Sequence, residues 1–241
     1  MTARFKSLTG MLVLFFVTTL VNTTSSPAAG ITSAATGNWS ATAWPNTTRT
    51  GTITSSTGST TVTGSGTSFT TEISAGNIIK TAANVTIGTV SSVTNNTTLV
   101  LTANAASTNA GISYHVQGVG PGDDATIANG HTVTIDGNFT VASVTVGQGT
   151  SGILQFDGTS RTLTVSGAVA VASGGTFSTP TSANITSALV IGGNLTNNGT
   201  LTFRAGNKLV NVTFNRDGNQ SVSGSGTTVL SAITLNMGTS K

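Results

Sequence analysis

Six acidic residues (Glu72, Asp123, Asp124, Asp136, Asp157 and Asp217) and two histidines (His115 and His131) are the stock from which acid–base or metal chemistry could be built in 241 residues. A glycosidase or lyase would need two carboxylates, or a carboxylate and a base, converging on one face. Asp123 and Asp124 are the only adjacent pair, and they fall in a Pro-Gly-Asp-Asp turn, where aspartates serve local backbone donors. Calcium requires several oxygen ligands at one place, and Asp123, Asp124 and Asp136 are the set the sequence offers, a thin one. His131 and His115 have no second histidine or cysteine at metal-ligand spacing, so both read as surface or turn residues. Cysteine is absent, which removes thiolate sites and disulfides alike. No G-x-S-x-G elbow, Walker loop or H-E-x-x-H occurs, and triplets such as Gly64-Ser65-Gly66 and Gly224-Ser225-Gly226 read as turns. The expectation is a protein that is not an enzyme and carries no cofactor, with weak calcium binding as the one exception to test.

Three aromatics could recognise rather than react. Trp39, Trp44 and Tyr114 could stack on sugar rings, the role that needs an exposed flat face. The competing role for the two tryptophans is to cover the open end of a first structural coil, because amphipathic rings suit half-buried edges. Exposed, coplanar rings would favour sugar; buried rings would favour the cover.

The elements that must position these residues are strands. There are 30 Gly and 50 Thr, and only 6% of residues are charged. Thr, Val and Ile restrict χ1 and favour extended backbone, while Gly and Asn supply turns. Between 50 and 117, short alternating runs (TTVTG, NIIK, VTIGTVSSV, TTLVLTA, ISYHV) predict a small antiparallel β-module of about five strands. From 118 to 241 a turn recurs every few residues, and LTVSGAVAVASGGTF matches LVIGGNLTNNGTLTF. That match sets Leu163 with Leu189, Val165 with Ile191, Gly167 with Gly193 and Val169 with Leu195, a period of 26 residues. Such a period marks stacked coils. One coil cannot bury its inward face, whereas stacked coils align apolar residues into a continuous core. The fold class expected is all-β, a right-handed parallel β-helix or β-solenoid with an inserted antiparallel module. Inward positions run from Val133 and Ile135 to Ile233 and Leu235.

Residues 1–30 read as an address. Arg4 and Lys6 precede the apolar run Met11–Val21, and the small residues SSPAAG follow, the layout of a secretory signal peptide with a cut between Ser26 and Ala35. That run is shorter than the ~20 residues needed to span a bilayer. The full chain has 9 basic and 6 acidic residues; removing Arg4 and Lys6 leaves 7 against 6, too small an excess to track nucleic acid. Residues 31–49 then begin the solenoid.

GNWSATAWP, starting at Gly37, together with the segment from Gly120 to Gly158, resembles the glycine-rich entry module, the eight-glycine domain, that opens large secreted β-helix proteins. It is also similar to repetitive surface proteins of Bacteroidetes-type bacteria, many of which are exported by type IX sorting. The matching residues are Trp39, Trp44, the turn from Pro121 to Asp124, the run from Thr132 to Asp136, and Gly130, Gly137, Gly147, Gly152 and Gly158. In this chain Pro45 and Gly118 lie on either side of the predicted insertion. The resemblance implies an extracellular or cell-surface scaffold, adhesin-like, forming the N-terminal part of a longer protein, with polysaccharide or other surface proteins as partners. The alternative is a carbohydrate-binding or carbohydrate-active protein whose active part lies downstream. No membrane span is expected after signal cleavage.

Overall fold

The computed structural model describes residues 29–40, 42–179, 184–216 and 218–236, so the signal segment lies outside the described residues. The architecture is an all-β solenoid of parallel sheets with an antiparallel sheet set into it. Three walls run along the solenoid. The first stacks Gly30–Thr32, Asp124–Ile127, Ser143–Val146, Val169–Val171, Leu195–Asn197 and Val222–Ser223. The second stacks Gly37–Asn38, Thr132–Ile135, Ile153–Phe156, Thr176–Ser178, Thr200–Thr202 and Thr227–Val229. The third runs through Phe139–Val141, Thr162–Val165, Thr186–Ile191, Lys208–Phe214 and Ile233–Leu235, with Arg204–Ala205 folded back as a hairpin on Lys208–Phe214.

The registry is that of the sequence repeat. Leu163 pairs with Leu189, Val165 with Ile191 and Val169 with Leu195. Alternation does the rest: in Thr162–Val165 and its neighbours the odd side chains enter the core and the threonines face out. Phe156, Phe177 and Phe203 continue the core as an aromatic file, with centroids 5.9 Å and then 4.9 Å apart. At the corners, turn asparagines tie one coil to the next: the Asn138 side chain accepts from the Thr162 amide at 2.8 Å, and Asn194 from the Ser221 amide at 3.0 Å.

Coil length follows from the pairings. Ala125 pairs with Val144, Val144 with Val169, Val169 with Leu195 and Leu195 with Val222, which are steps of 19, 25, 26 and 27 residues. Ile31 pairs with Ala125, 94 positions on; without the 72 residues from Asn46 to Gln117 the step is 22, an ordinary coil. The module therefore interrupts one coil of a continuous solenoid.

That module has eight antiparallel strands, where the sequence pattern predicts about five. Its sheet runs Asn46–Thr48, Tyr114–Gln117, Ile78–Thr81, Thr86–Asn95, Thr98–Leu101, Thr61–Ser65, Thr52–Ser55 and Asn109–Ile112. The unforeseen edge strands are short and polar, and Asn46–Thr48 belongs to the module although its boundary was expected at 50. A short helix, Phe69–Glu72, turns Phe69 and Glu72 inward. The module has its own core, in which Ile53 is buried without having been expected, whereas Ile78, Val93 and Ile112 are only partly covered.

In the solenoid Ile233 and Leu235 take the inward register, opposite Val212 and Phe214, but they are 49% and 67% exposed rather than core. Burial of an inward residue depends on a coil above it as well as below, and no described coil lies above these two.

Candidate functional site

The polar atoms that converge most closely do so where the module meets the solenoid. The chain leaves the module through Gly118 and Gly120 into the turn at Pro121. Gly120 lies so close to the backbone of Glu72 that an added Cβ would come within 2.2 Å of the Glu72 carbonyl carbon. Asp123 closes the turn, its carboxylate accepting the Gly120 amide at 2.7 Å. The same carboxylate accepts Arg49 through both terminal nitrogens, at 2.8 and 2.6 Å, and this ion pair is buried. Arg49 Nη2 also donates to the Gly118 carbonyl at 3.4 Å, while its Nε has no hydrogen-bond partner.

Glu72 lies beside this pair. It is buried and accepts the Thr50 amide at 3.2 Å and the Thr50 hydroxyl at 2.5 Å. Tyr114 donates its phenol to the Thr50 carbonyl at 3.3 Å. Burial pushes the Tyr114 phenol well above its ordinary range, and the Glu72 charge adds to the shift while Arg49 opposes it. Arg49, Glu72 and Asp123 line a recess of about 120 Å³ together with Ala29, Thr48, Thr50, Thr71 and Gly122. Two further bonds fasten module to solenoid: Asn77 Nδ2 donates to the Ser40 carbonyl at 3.2 Å, and Gln117 Nε2 to the Trp44 carbonyl at 3.2 Å.

The residues singled out by type are distributed differently from either role considered for them. Trp39, Trp44 and Tyr114 are all buried, so none presents a ring face on which a sugar could stack. Trp39 packs edge-on to Trp44 with centroids 5.0 Å apart and stacks on Phe139 at 6.0 Å; Trp44 Nε1 donates to the Trp39 carbonyl at 2.7 Å. Tyr114 belongs to the other core, edge-on to Phe69 at 6.1 Å. An aromatic face was expected to be free because both tryptophans sit in a polar, turn-rich stretch. The two rings reach the first coil's interior because the chain turns inward after Asn38.

The calcium set also disperses. Asp123 is taken by Arg49, Asp124 accepts the Ser143 hydroxyl at 2.6 Å, and Asp136 accepts the amide and hydroxyl of Ser40 at 2.9 and 2.7 Å. Among the described residues, no three histidines, cysteines, aspartates or glutamates gather in a group that could hold a metal. His131 Nδ1 lies 2.9 Å from the Ser33 hydroxyl and His115 Nδ1 lies 2.8 Å from Asn84 Oδ1, each within a wall or hairpin contact. Arg49 and Glu72 were missed by the sequence reading. The available signal was their rarity: a charge inside a threonine-rich strand of a chain with 6% charged residues asks for a partner.

A second recess, about 420 Å³ and mostly apolar, opens on the last described coil between Phe214, Val222, Ile233 and Leu235, with Arg216 at its rim. No described helix is long and apolar enough to cross a membrane. Compared with family models, curated proteins and solved structures, the chain matches none.

Proposed function

We propose that this chain is a secreted or cell-surface structural scaffold, adhesin-like, in which the solenoid is a stiff stalk and the inserted module a contact domain. The observation that carries the reading is the unbroken vertical registry of apolar side chains, from Ile31 through Ala125, Val144, Val169 and Leu195 to Val222. A column of that kind resists bending, because each rung is hydrogen-bonded and packed on both sides. Its outer faces are mainly hydroxyl and amide: Thr126, Thr145 and Thr196 in the first wall, Thr140, Thr164 and Thr213 in the third. Support for export comes from the basic, apolar and small-residue order of the first thirty residues. Polysaccharide or other surface proteins are the partners this reading assigns.

The test is surface labelling of intact producing cells with an antibody to the module, combined with adhesion to extracellular polysaccharide. The expected result is labelling without lysis, and adhesion that falls when residues 46–117 are removed. Labelling only after lysis would end the surface reading. Turnover of the polysaccharide by purified protein would end the non-catalytic one.

A further inference from the structure

The recess at the junction carries more negative than positive charge. Asp123 is matched by Arg49, but Glu72 is held only by the neutral donors of Thr50, and it is 6% exposed. A buried carboxylate without a counter-ion is costly, which makes the recess a site for a cation. Ala29 lines the same recess. Its carbonyl accepts the Asp124 amide at 2.9 Å, which fixes the backbone at that residue.

The structure also narrows where an export signal can be cut. Gly30–Thr32 is the first rung of the first wall, Ile31 is buried in the core, and the Ser33 hydroxyl accepts the Ala128 amide at 2.9 Å. A cut after Gly30 or beyond would remove that rung. Just upstream, Ser26-Pro27-Ala28 places small residues at the third and first positions before the Ala28–Ala29 bond, the pattern such peptidases read.

We propose that export processing occurs between Ala28 and Ala29 and that the α-ammonium it creates on Ala29 is the missing counter-ion of Glu72. The proposal rests on the reading of the first residues as an export signal. An export peptidase hydrolyses the Ala28–Ala29 amide: water gives its hydroxyl to the Ala28 carbonyl, and the Ala29 nitrogen leaves as an amine that is protonated at neutral pH. Maturation thereby completes the polar contact that locks module to solenoid, and the uncleaved chain lacks it.

Two measurements test this. The intact mass of the exported protein should correspond to a chain starting at Ala29. A full-length mass would remove the export reading and the proposal with it, whereas a different cut would leave export standing and overturn the proposal alone. Chains beginning at Ala29 are then compared with a free and an acetylated α-amine, each with and without Glu72→Gln. Acetylation should lower Tm by about 2–4 °C when Glu72 is present. It should have no effect in Glu72→Gln. An equal loss in both backgrounds, or no loss in either, overturns the proposal.

Discussion

Asp123 accepts an amide of its own turn and both terminal nitrogens of an arginine 74 positions earlier in the chain. Removing one partner leaves the other charge buried and alone, so Arg49→Ala should lower stability by about 3–5 kcal/mol. Replacing both by apolar residues of similar volume, Arg49→Met with Asp123→Leu, should cost much less. Denaturant unfolding of the single and double variants measures the difference. Tyr114 gives a second expectation. Its folded pKa lies above the unfolded value of 10.0, so the unfolded chain loses its phenolic proton first. The stability it contributes is complete below about pH 10 and drains away as the pH rises further. Near-ultraviolet absorbance should show phenolate appearing only together with unfolding, since Tyr114 is the chain's single tyrosine. The turn role of Asp123 was legible from Pro-Gly-Asp-Asp, because an Asx turn is a local event. Its ion pair was not, since nothing local joins residues 49 and 123.

At the scale of the strand, the 26-residue match predicted Leu163 above Leu189, and the ladder places them so. Leu189 lies between Leu163 and Val212, fully buried. Leu189→Ala should therefore cost about 2–5 kcal/mol, read as a drop in the denaturation midpoint, through the cavity left between three rungs. Gly193 stacks on Gly167 at a corner, and an added Cβ would come within 2.6 Å of the Gly167 backbone. Gly193→Ala should lower Tm by forcing two coils apart, whereas Gly30→Ala, where a Cβ meets nothing within 4 Å, should leave Tm nearly unchanged. The same pattern that exposed these columns passed over Phe139 and Phe177, because single aromatics between Gly and Asn do not alternate long enough to be read as strands.

The whole molecule behaves as one solenoid with a domain inserted in a single coil. Joining Pro45 to Gly118, with Asp123→Asn to remove the charge left unpaired, should give a chain that still unfolds cooperatively and keeps a sheet-dominated far-ultraviolet dichroism spectrum. Loss of the parallel sheet in that variant would mean that the module, not the coil stack, organises the fold. The sequence alone determined the class of architecture, the inserted domain and the stacking partners, because alternation and period are repeated at every rung and each repeat adds evidence. Only the tertiary structure decided what the few singular residues do: the burial of Trp39, Trp44 and Tyr114, the dispersal of Asp123, Asp124 and Asp136, and the pairing of Arg49. A residue without a repeat is positioned by contacts that arise when distant segments meet, and the linear chain carries no record of that distance.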